Sequence, residues 1–364
     1  MLAVLSGGGT AGHINPALAL ADELKKRGCD VLFAGTPHGV ESRLVPEAGI
    51  EFKAFEAAGF DRAHPTSIFR GVHLIEKSTG AAKAWFREVK PDVVVGFGGY
   101  VSIPVGRAAR ALGIPLVVHE QNSVMGMANS YLAKKAAAVC LTYDHAAQSV
   151  ADKSKIYLTG NPVRQSVLEA TRQEGREMLE IPDEALILLV FGGSLGARHL
   201  NAAICELKDK LLSYENLYLV HVTGPKEYET VKEALALTKE EEKRWKLFDY
   251  QYQMGATMAA ADAIVSRAGA SSLAEISARA IPALLVPFPY ATADHQTINA
   301  QSYVDAGCAL MIPDAEVESP EFASALCQLI EDKDLRASMT KAAQAQKTRD
   351  AAANLADVVM RVAQ

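Results

Sequence analysis

His13 closes a glycine-rich run, SGGGTAGH, set between the apolar stretch LAVL and the amphipathic stretch INPALALADELKK. Glycines remove side chains where a ligand needs backbone N–H groups, and a helix start directs positive potential at the same place. An anion such as a pyrophosphate suits that combination. An imidazole at its rim can exchange a proton near neutral pH. Asn15 is expected to cap the helix, with Pro16 in its first turn. Residues 7–12, GGGTAG, also satisfy GxGxxG. A dinucleotide site would add an acidic residue about 20 positions on, at the end of the second strand. That strand, VLFAG, ends in Gly35, Thr36 and Pro37, and Asp30 lies at its wrong end. An NAD or FAD site is therefore not the reading.

Further loops of the same kind follow apolar runs. GFGGYVS (96–102) follows DVVV, and HEQNSVMG (119–126), with Glu120 and Asn122, follows IPLVV. In the second half, FGGSLGAR (191–198) offers the Ser194 hydroxyl, and Arg164 in NPVR could bring charge to a diphosphate. SRAGASSLAEI presents Gly269, Ala270, Ser271 and Ser272 at a helix start, with Glu275 one turn inside, where a carboxylate can accept both hydroxyls of a ribose. ADHQTINAQ adds Asp294, His295, Gln296 and Asn299, whose amides could read a sugar's hydroxyls without adding charge. Each of these residues also has an ordinary structural use, as a helix-end acid, a surface ion pair or a buried polar group.

Positioning such loops takes strands that end where the loops begin. LAVLS, DVLFAG, DVVVGFGG, IPLVVHE and AAAVCLTY alternate with helical patterns in the first half, as do ALILLVFGG, LYLVHVTG, DAIVSRAG and IPALLVPF in the second. Short apolar runs separated by amphipathic stretches read as buried parallel strands of a doubly wound α/β fold. LAVLSGGGTAGHINPALALADELKK and LILLVFGGSLGARHLNAAICELKDK share one layout, which indicates two Rossmann-like domains. The turn signal TGNPVRQS (159–166) places their boundary, giving domains 1–163 and 164–344, and an Ala-rich helical tail follows.

The 364 residues suit two domains, and a net charge of −6 does not favour a nucleic-acid binder. The charge is uneven: residues 1–163 carry 17 Lys and Arg against 14 Asp and Glu, and the remainder carries 20 against 29. Five scattered cysteines without a CxxC pattern suggest buried thiols rather than disulfides or a metal site. Leu2–Leu5 lead straight into the glycine loop, so no signal peptide is read, and no apolar run approaches the roughly 18 residues of a membrane span.

In order and spacing, GGGTAGH, GFGGYVS, HEQN, GNPVR, GGSLGAR, SRAGASSLAEI and PFPYATADHQTINA resemble the MurG family of bacterial N-acetylglucosaminyltransferases, over nearly the whole chain. The resemblance implies a GT-B fold, two Rossmann-like domains facing each other across a cleft, with the C-terminal helix 345–364 packing back on the first. It implies inverting transfer of GlcNAc from UDP-GlcNAc to the C4 hydroxyl of the MurNAc sugar of lipid I. The products are lipid II and UDP, in peptidoglycan synthesis.

Carried over residue by residue, the family implies donor contacts at Thr10, Ala11, Gly12, Asn122, Arg164, Ser194, Gln251, Gly269, Ala270, Ser271, Ser272, Glu275 and Gln296. The diphosphate would lie on 269–272, the ribose on Glu275, the uracil at Gln251 and the sugar at Gln296. His13 is expected to be the general base, with Glu120 the alternative. Ala11 stands where the family often has glycine, Leu195 where glutamine is common, and His295 where a second glutamine often occurs. No cofactor or metal is expected, since none of the phosphate-type loops carries a DxD-like motif or a carboxylate cluster.

The lipid-linked acceptor implies a peripheral place on the cytoplasmic face of the bacterial plasma membrane, and cell-wall synthesis proteins as partners. Phe69, Ile75, Trp85 and Phe86, among cations of the 60–87 segment, are the candidates for meeting an anionic bilayer; the alternative is a helix whose apolar face lies on the core. Rival functions are a glycolipid glycosyltransferase, a UDP-GlcNAc 2-epimerase, a non-catalytic sugar-nucleotide sensor and a dehydrogenase.

Overall fold

A computed structural model describes residues 1–57, 67–193, 196–346 and 348–364, with side chains from residue 71 onward in the second span. The chain divides into two compact units: Met1–Arg164 together with Arg349–Gln364, and Gln165–Thr348.

The first unit is built on seven strands: β1 (Leu2–Gly7), β2 (Asp30–Gly35), β3 (Glu51–Ala54), β4 (Val93–Gly98), β5 (Leu116–Glu120), β6 (Ala138–Leu141) and β7 (Ile156–Leu158). All pair in parallel, in the order β3-β2-β1-β4-β5-β6-β7. Val4, Val94, Val118 and Val139 fall in the core on one face of the sheet, and Leu5, Val95, Val117 and Cys140 in the core on the other. Strands buried on both faces are the signature of parallel sheets covered by helices.

The second unit has six parallel strands: β8 (Leu186–Phe191), β9 (Leu217–Val222), β10 (Trp245–Phe248), β11 (Ala263–Ser266), β12 (Ala283–Leu285) and β13 (Ala309–Met311). Their order is β10-β9-β8-β11-β12-β13. Both sheets thus reverse winding direction beside their first strand, between β1 and β4 and between β8 and β11. Open α/β sheets bind ligands beyond the carboxyl ends of the strands at such a switch point.

Two strands lack the long buried apolar runs of the central ones. EFKA of β3 has one half-buried and three exposed residues, and IYL of β7 is partly exposed throughout. Both are edge strands, as are β10 and β13, and a strand paired on one side alone has less of its surface covered.

The first helix spans Ala11–Lys26, with Thr10 in extended conformation at its N-cap. This corrects the expected cap at Asn15: the helix begins earlier and Pro16 lies within it. Proline has no N–H to give the carbonyl four residues back, and its fixed φ is already helical. The helix 67–89 corrects a second expectation. Ile75 (6% exposed), Trp85 (6%) and Phe86 (1%) belong to the core, where Trp85 packs its ring on Phe55 and Phe86. They are not available to a bilayer. The side chain of Phe69 lies outside the described residues. Among described residues, no helix is long and apolar enough to cross a membrane.

The last helix, Ala351–Val362, returns to the first unit. Leu355, Ala356, Val358 and Val359 share a core with Leu20 and Leu24. Arg27, the C-cap of the first helix, donates to Asp357 Oδ1 at 2.5 Å and to the Ala353 carbonyl at 3.3 Å.

Candidate active site

At the first switch point the loops after β1 and β4 touch. A Cβ at Gly99 would sit 2.5 Å from the Gly8 carbonyl oxygen, and both Gly98 and Gly99 hold positive φ, 106° and 80°. Only glycine meets both demands without strain. The close approach puts the rim of β4 beside His13: a Cβ at Gly98 would lie 3.1 Å from His13 Nε2 and 3.5 Å from Asn129 Nδ2. Thr10, Ala11, Gly12 and His13 are brought together by the turn into the first helix.

The His13 ring is oriented by its own loop. Nδ1 lies 2.9 Å from the Gly8 carbonyl oxygen, with Thr10 Oγ1 farther off at 3.4 Å. A carbonyl can only accept, so Nδ1 carries the proton and Nε2 holds the lone pair. That tautomer lets Nε2 act as a base.

Glu120 plays a different part. It is 1% exposed, and Oε1 accepts from the Asn122 backbone N–H (3.0 Å) and side-chain amide (3.3 Å). Oε2 accepts from the Gly126 N–H at 3.0 Å and Asn129 Nδ2 at 2.9 Å. Four donors fix both oxygens, so the carboxylate shapes the loop that carries Asn122. His119 beneath it donates through Nε2 to the Gly160 carbonyl (2.9 Å) and accepts from Gln121 at Nδ1 (3.0 Å). Burial pushes the His119 pKa down to about 4, so the ring is neutral. Arg164 is the last residue of this unit before Gln165.

At the second switch point, Gly269 caps the helix Ala270–Ala278 with extended geometry, and a Cβ there would meet nothing within 4 Å. Ser271 and Ser272 occupy the first turn and Glu275, 8% exposed, the second. The turn is held from two sides. Gln296, on the helix His295–Asp305, accepts at Oε1 from the Ala268 N–H (3.1 Å) and the Phe288 N–H (3.0 Å). Its carbonyl end is thus engaged by backbone. Asn299 donates to the Ala268 carbonyl at 3.3 Å.

Arg267, 8% exposed, donates to the carbonyls of Val286 and Pro287 (3.1 Å each) and pairs with Asp314 at 2.5 Å. Asp314 also meets His199 Nδ1 at 3.0 Å. Burial works to raise the Asp314 pKa, but the hydrogen bonds from His199 and Arg267 outweigh it and hold it low. The same bond to Asp314 raises that of His199.

Gln251, in the loop after β10, accepts from the Gln253 N–H at 2.9 Å. Ser194 and Leu195 lie outside the described residues. Among described residues, no three His, Cys, Asp or Glu side chains gather as metal ligands.

One buried carboxylate has no counterpart among the sequence-derived candidates. Glu41 is 0% exposed and accepts from the Gly9 N–H (3.2 Å), the Thr36 N–H (3.0 Å) and the Thr36 hydroxyl (2.6 Å). The only signal in the sequence is an acidic residue after the turn signal TPHG, which reads as an exposed helix start.

Two family models match the chain: the glycosyltransferase family 28 N-terminal domain over residues 3–141 and its C-terminal domain over 187–355. A relative from Leuconostoc mesenteroides, 41% identical over 99% of both chains, is named UDP-N-acetylglucosamine–N-acetylmuramyl-(pentapeptide) pyrophosphoryl-undecaprenol N-acetylglucosamine transferase. A Lactiplantibacillus plantarum protein with the same name is 40% identical, again over 99% of each chain. This chain belongs to the MurG family. Among solved structures, MurG of Acinetobacter baumannii matches with a TM-score of 0.76 and 30% identity over 99% of both chains. The UDP-GlcNAc 2-epimerase of Neisseria meningitidis, with a TM-score of 0.69 at 14% identity, shares the fold alone. The MurG-family chain is accordingly a GT-B glycosyltransferase, with one Rossmann-like sheet in each of its two units.

Proposed function

We propose that this protein transfers GlcNAc from UDP-GlcNAc to the C4 hydroxyl of the MurNAc sugar of lipid I, with inversion at the anomeric carbon. The observation that carries the reading is 41% identity along 99% of the chain to an enzyme named for that transfer. The alternative of a UDP-GlcNAc 2-epimerase rests on fold alone.

In this reading the acceptor hydroxyl loses its proton to His13 Nε2 as its oxygen attacks C1 of GlcNAc. The C1–oxygen bond to the diphosphate breaks, and the electron pair leaves with UDP. The imidazolium keeps its Nδ1–H on the Gly8 carbonyl and later releases the Nε2 proton to solvent. Glu120, with both oxygens engaged by loop donors, is the weaker candidate for the base.

Charge growing on the diphosphate would be met by the first-turn amides at 269–272, by Arg164 and by Ser194. Glu275 would take the ribose, Gln251 the uracil, and the Gln296 amide the sugar. Thr10, Ala11, Gly12 and Asn122 would complete the donor contacts from the first unit, the acceptor-binding one. A lipid-borne acceptor places the enzyme on the cytoplasmic face of the membrane as a peripheral protein, where cell-wall synthesis proteins are partners. Phe69, whose side chain lies outside the described residues, is the remaining bilayer candidate of the 60–87 segment, because Ile75, Trp85 and Phe86 are buried.

The test is transfer of labelled GlcNAc from UDP-GlcNAc to a lipid I analogue. Labelled lipid II is the expected product, and His13→Ala is expected to lower turnover by about 10²–10⁴ with both substrates saturating. Interconversion of UDP-sugars without any acceptor would overturn the transferase reading. Near-normal turnover in His13→Ala would remove the assigned base.

A further inference from the structure

The peptide unit joining Gly8 to Gly9 is gripped at both ends. Its carbonyl accepts the Nδ1 proton of His13 at 2.9 Å, and its N–H donates to Glu41 Oε2 at 3.2 Å. One planar amide therefore stands between a buried carboxylate and the imidazole. Amide resonance moves electron density from nitrogen to oxygen, and a carboxylate at the N–H strengthens that shift. The carbonyl becomes a better acceptor, since hydrogen bonds in a chain polarise one another. We propose that Glu41 is a positioning residue for His13, acting through the Gly8–Gly9 peptide to fix the Nδ1–H tautomer and to stabilise the imidazolium formed during transfer. The proposal rests on the reading of His13 as the base.

The surroundings of Glu41 are built around the carboxylate. It is 0% exposed, and among the described residues no ion pair includes it. It lies in the first turn of the helix Glu41–Glu47, where the helix dipole favours an anion. The remaining oxygen is held by Thr36 through both N–H and hydroxyl. Three glycines make the space: a Cβ at Gly8 would come 2.6 Å from Oε1, one at Gly35 would come 2.6 Å from Cγ, and one at Gly39 closer still to the carboxylate. Gly99 packs on the Gly8 peptide from the other loop, so the amide cannot turn away from either partner. A buried carboxylate held only by neutral donors is costly to bury unless its hydrogen bonds are complete. A role limited to closing the β2 turn would be served by Thr36 and would not need the Gly9 bond.

The experiment uses the full-length protein, UDP-GlcNAc and a lipid I analogue. Glu41→Gln keeps the shape but cannot offer an anionic acceptor to the Gly9 N–H and both Thr36 donors at once. Turnover is expected to fall about tenfold, a part of what a general base contributes, with KM for UDP-GlcNAc unchanged within about twofold. In a His13→Ala background the same substitution is expected to change the residual rate by less than about twofold, because the two residues act as one unit. The ¹⁵N signals of His13 supply a readout without turnover: wild type shows a protonated Nδ1 and an unprotonated Nε2, and Glu41→Gln shifts towards a mixture. If Glu41→Gln does not fold, Thr36→Val, which removes only the hydroxyl at 2.6 Å, is read in the same cycle and by the same signals. An equal loss in the wild-type and His13→Ala backgrounds, or an unmoved tautomer, overturns the proposal. Near-normal turnover of His13→Ala alone overturns the assigned base instead, and the ¹⁵N signals then decide the link to Glu41 by themselves.

Discussion

Gly99 shows how much of this site depends on an absent side chain. A methyl group there would enter the space of the Gly8 carbonyl, at 2.5 Å, on a backbone with φ of 80°. Gly99→Ala is expected to push the two loops apart by about 1 Å and to lower turnover about a hundredfold, as misplaced catalytic groups do. Its unfolding temperature should stay within several degrees of wild type; full activity would mean that the β4 loop does not position His13. The glycine loop and His13 were legible in the sequence because a strand, a turn and a helix start adjoin there. Glu41 was not, because its partner Gly9 lies 32 residues away and nothing local marks the pairing. Gln296 was legible as an amide near the donor loop. That its Oε1 grips backbone could be seen only once Ala268 and Phe288 were brought to it.

At the scale of elements, the central strands announce themselves and the edges do not. Val93–Gly98 is buried at every position, whereas β3 and β7 contain almost no buried residue. The helix 67–89 shows the opposite ambiguity. An apolar face flanked by lysines and arginines fits either a bilayer or a core, and periodicity cannot choose between them. The structure places that face on the core, with Phe86 at 1% exposure. Phe86→Ala is therefore expected to cost about 3–5 kcal/mol in urea unfolding. Val72→Asp, at a 48% exposed site on the same helix, is expected to fall within about 0.5 kcal/mol. The reverse ranking would mean that this face is not packed as described.

Across the whole molecule, each unit carries a buried neutral histidine. Burial lowers His119 to about 4 in the first unit and His221 to about 3 in the second. Between those values and the unfolded value near 6.5, the unfolded chain binds protons that the folded chain refuses. Stability must then fall as pH drops through that interval. His199 acts in the other direction: its raised value favours the folded state below the unfolded pKa, and that contribution fades as pH rises through the folded one. Thermal unfolding across pH 4 to 9 should show an acid limb and a shallower alkaline one. His199→Gln should flatten only the alkaline limb; loss of the acid limb in that variant would contradict the assignment.

The helix Ala351–Val362 belongs to the unit whose other residues end at Arg164. During synthesis, the apolar stripe around Leu20 and Leu24 therefore waits uncovered while the ribosome makes every residue of the second unit. A nascent first half is an unfinished body, and a gene cut after residue 164 would yield a fragment with that stripe bare. Supplying residues 349–364 as a separate peptide would be the natural way to close it.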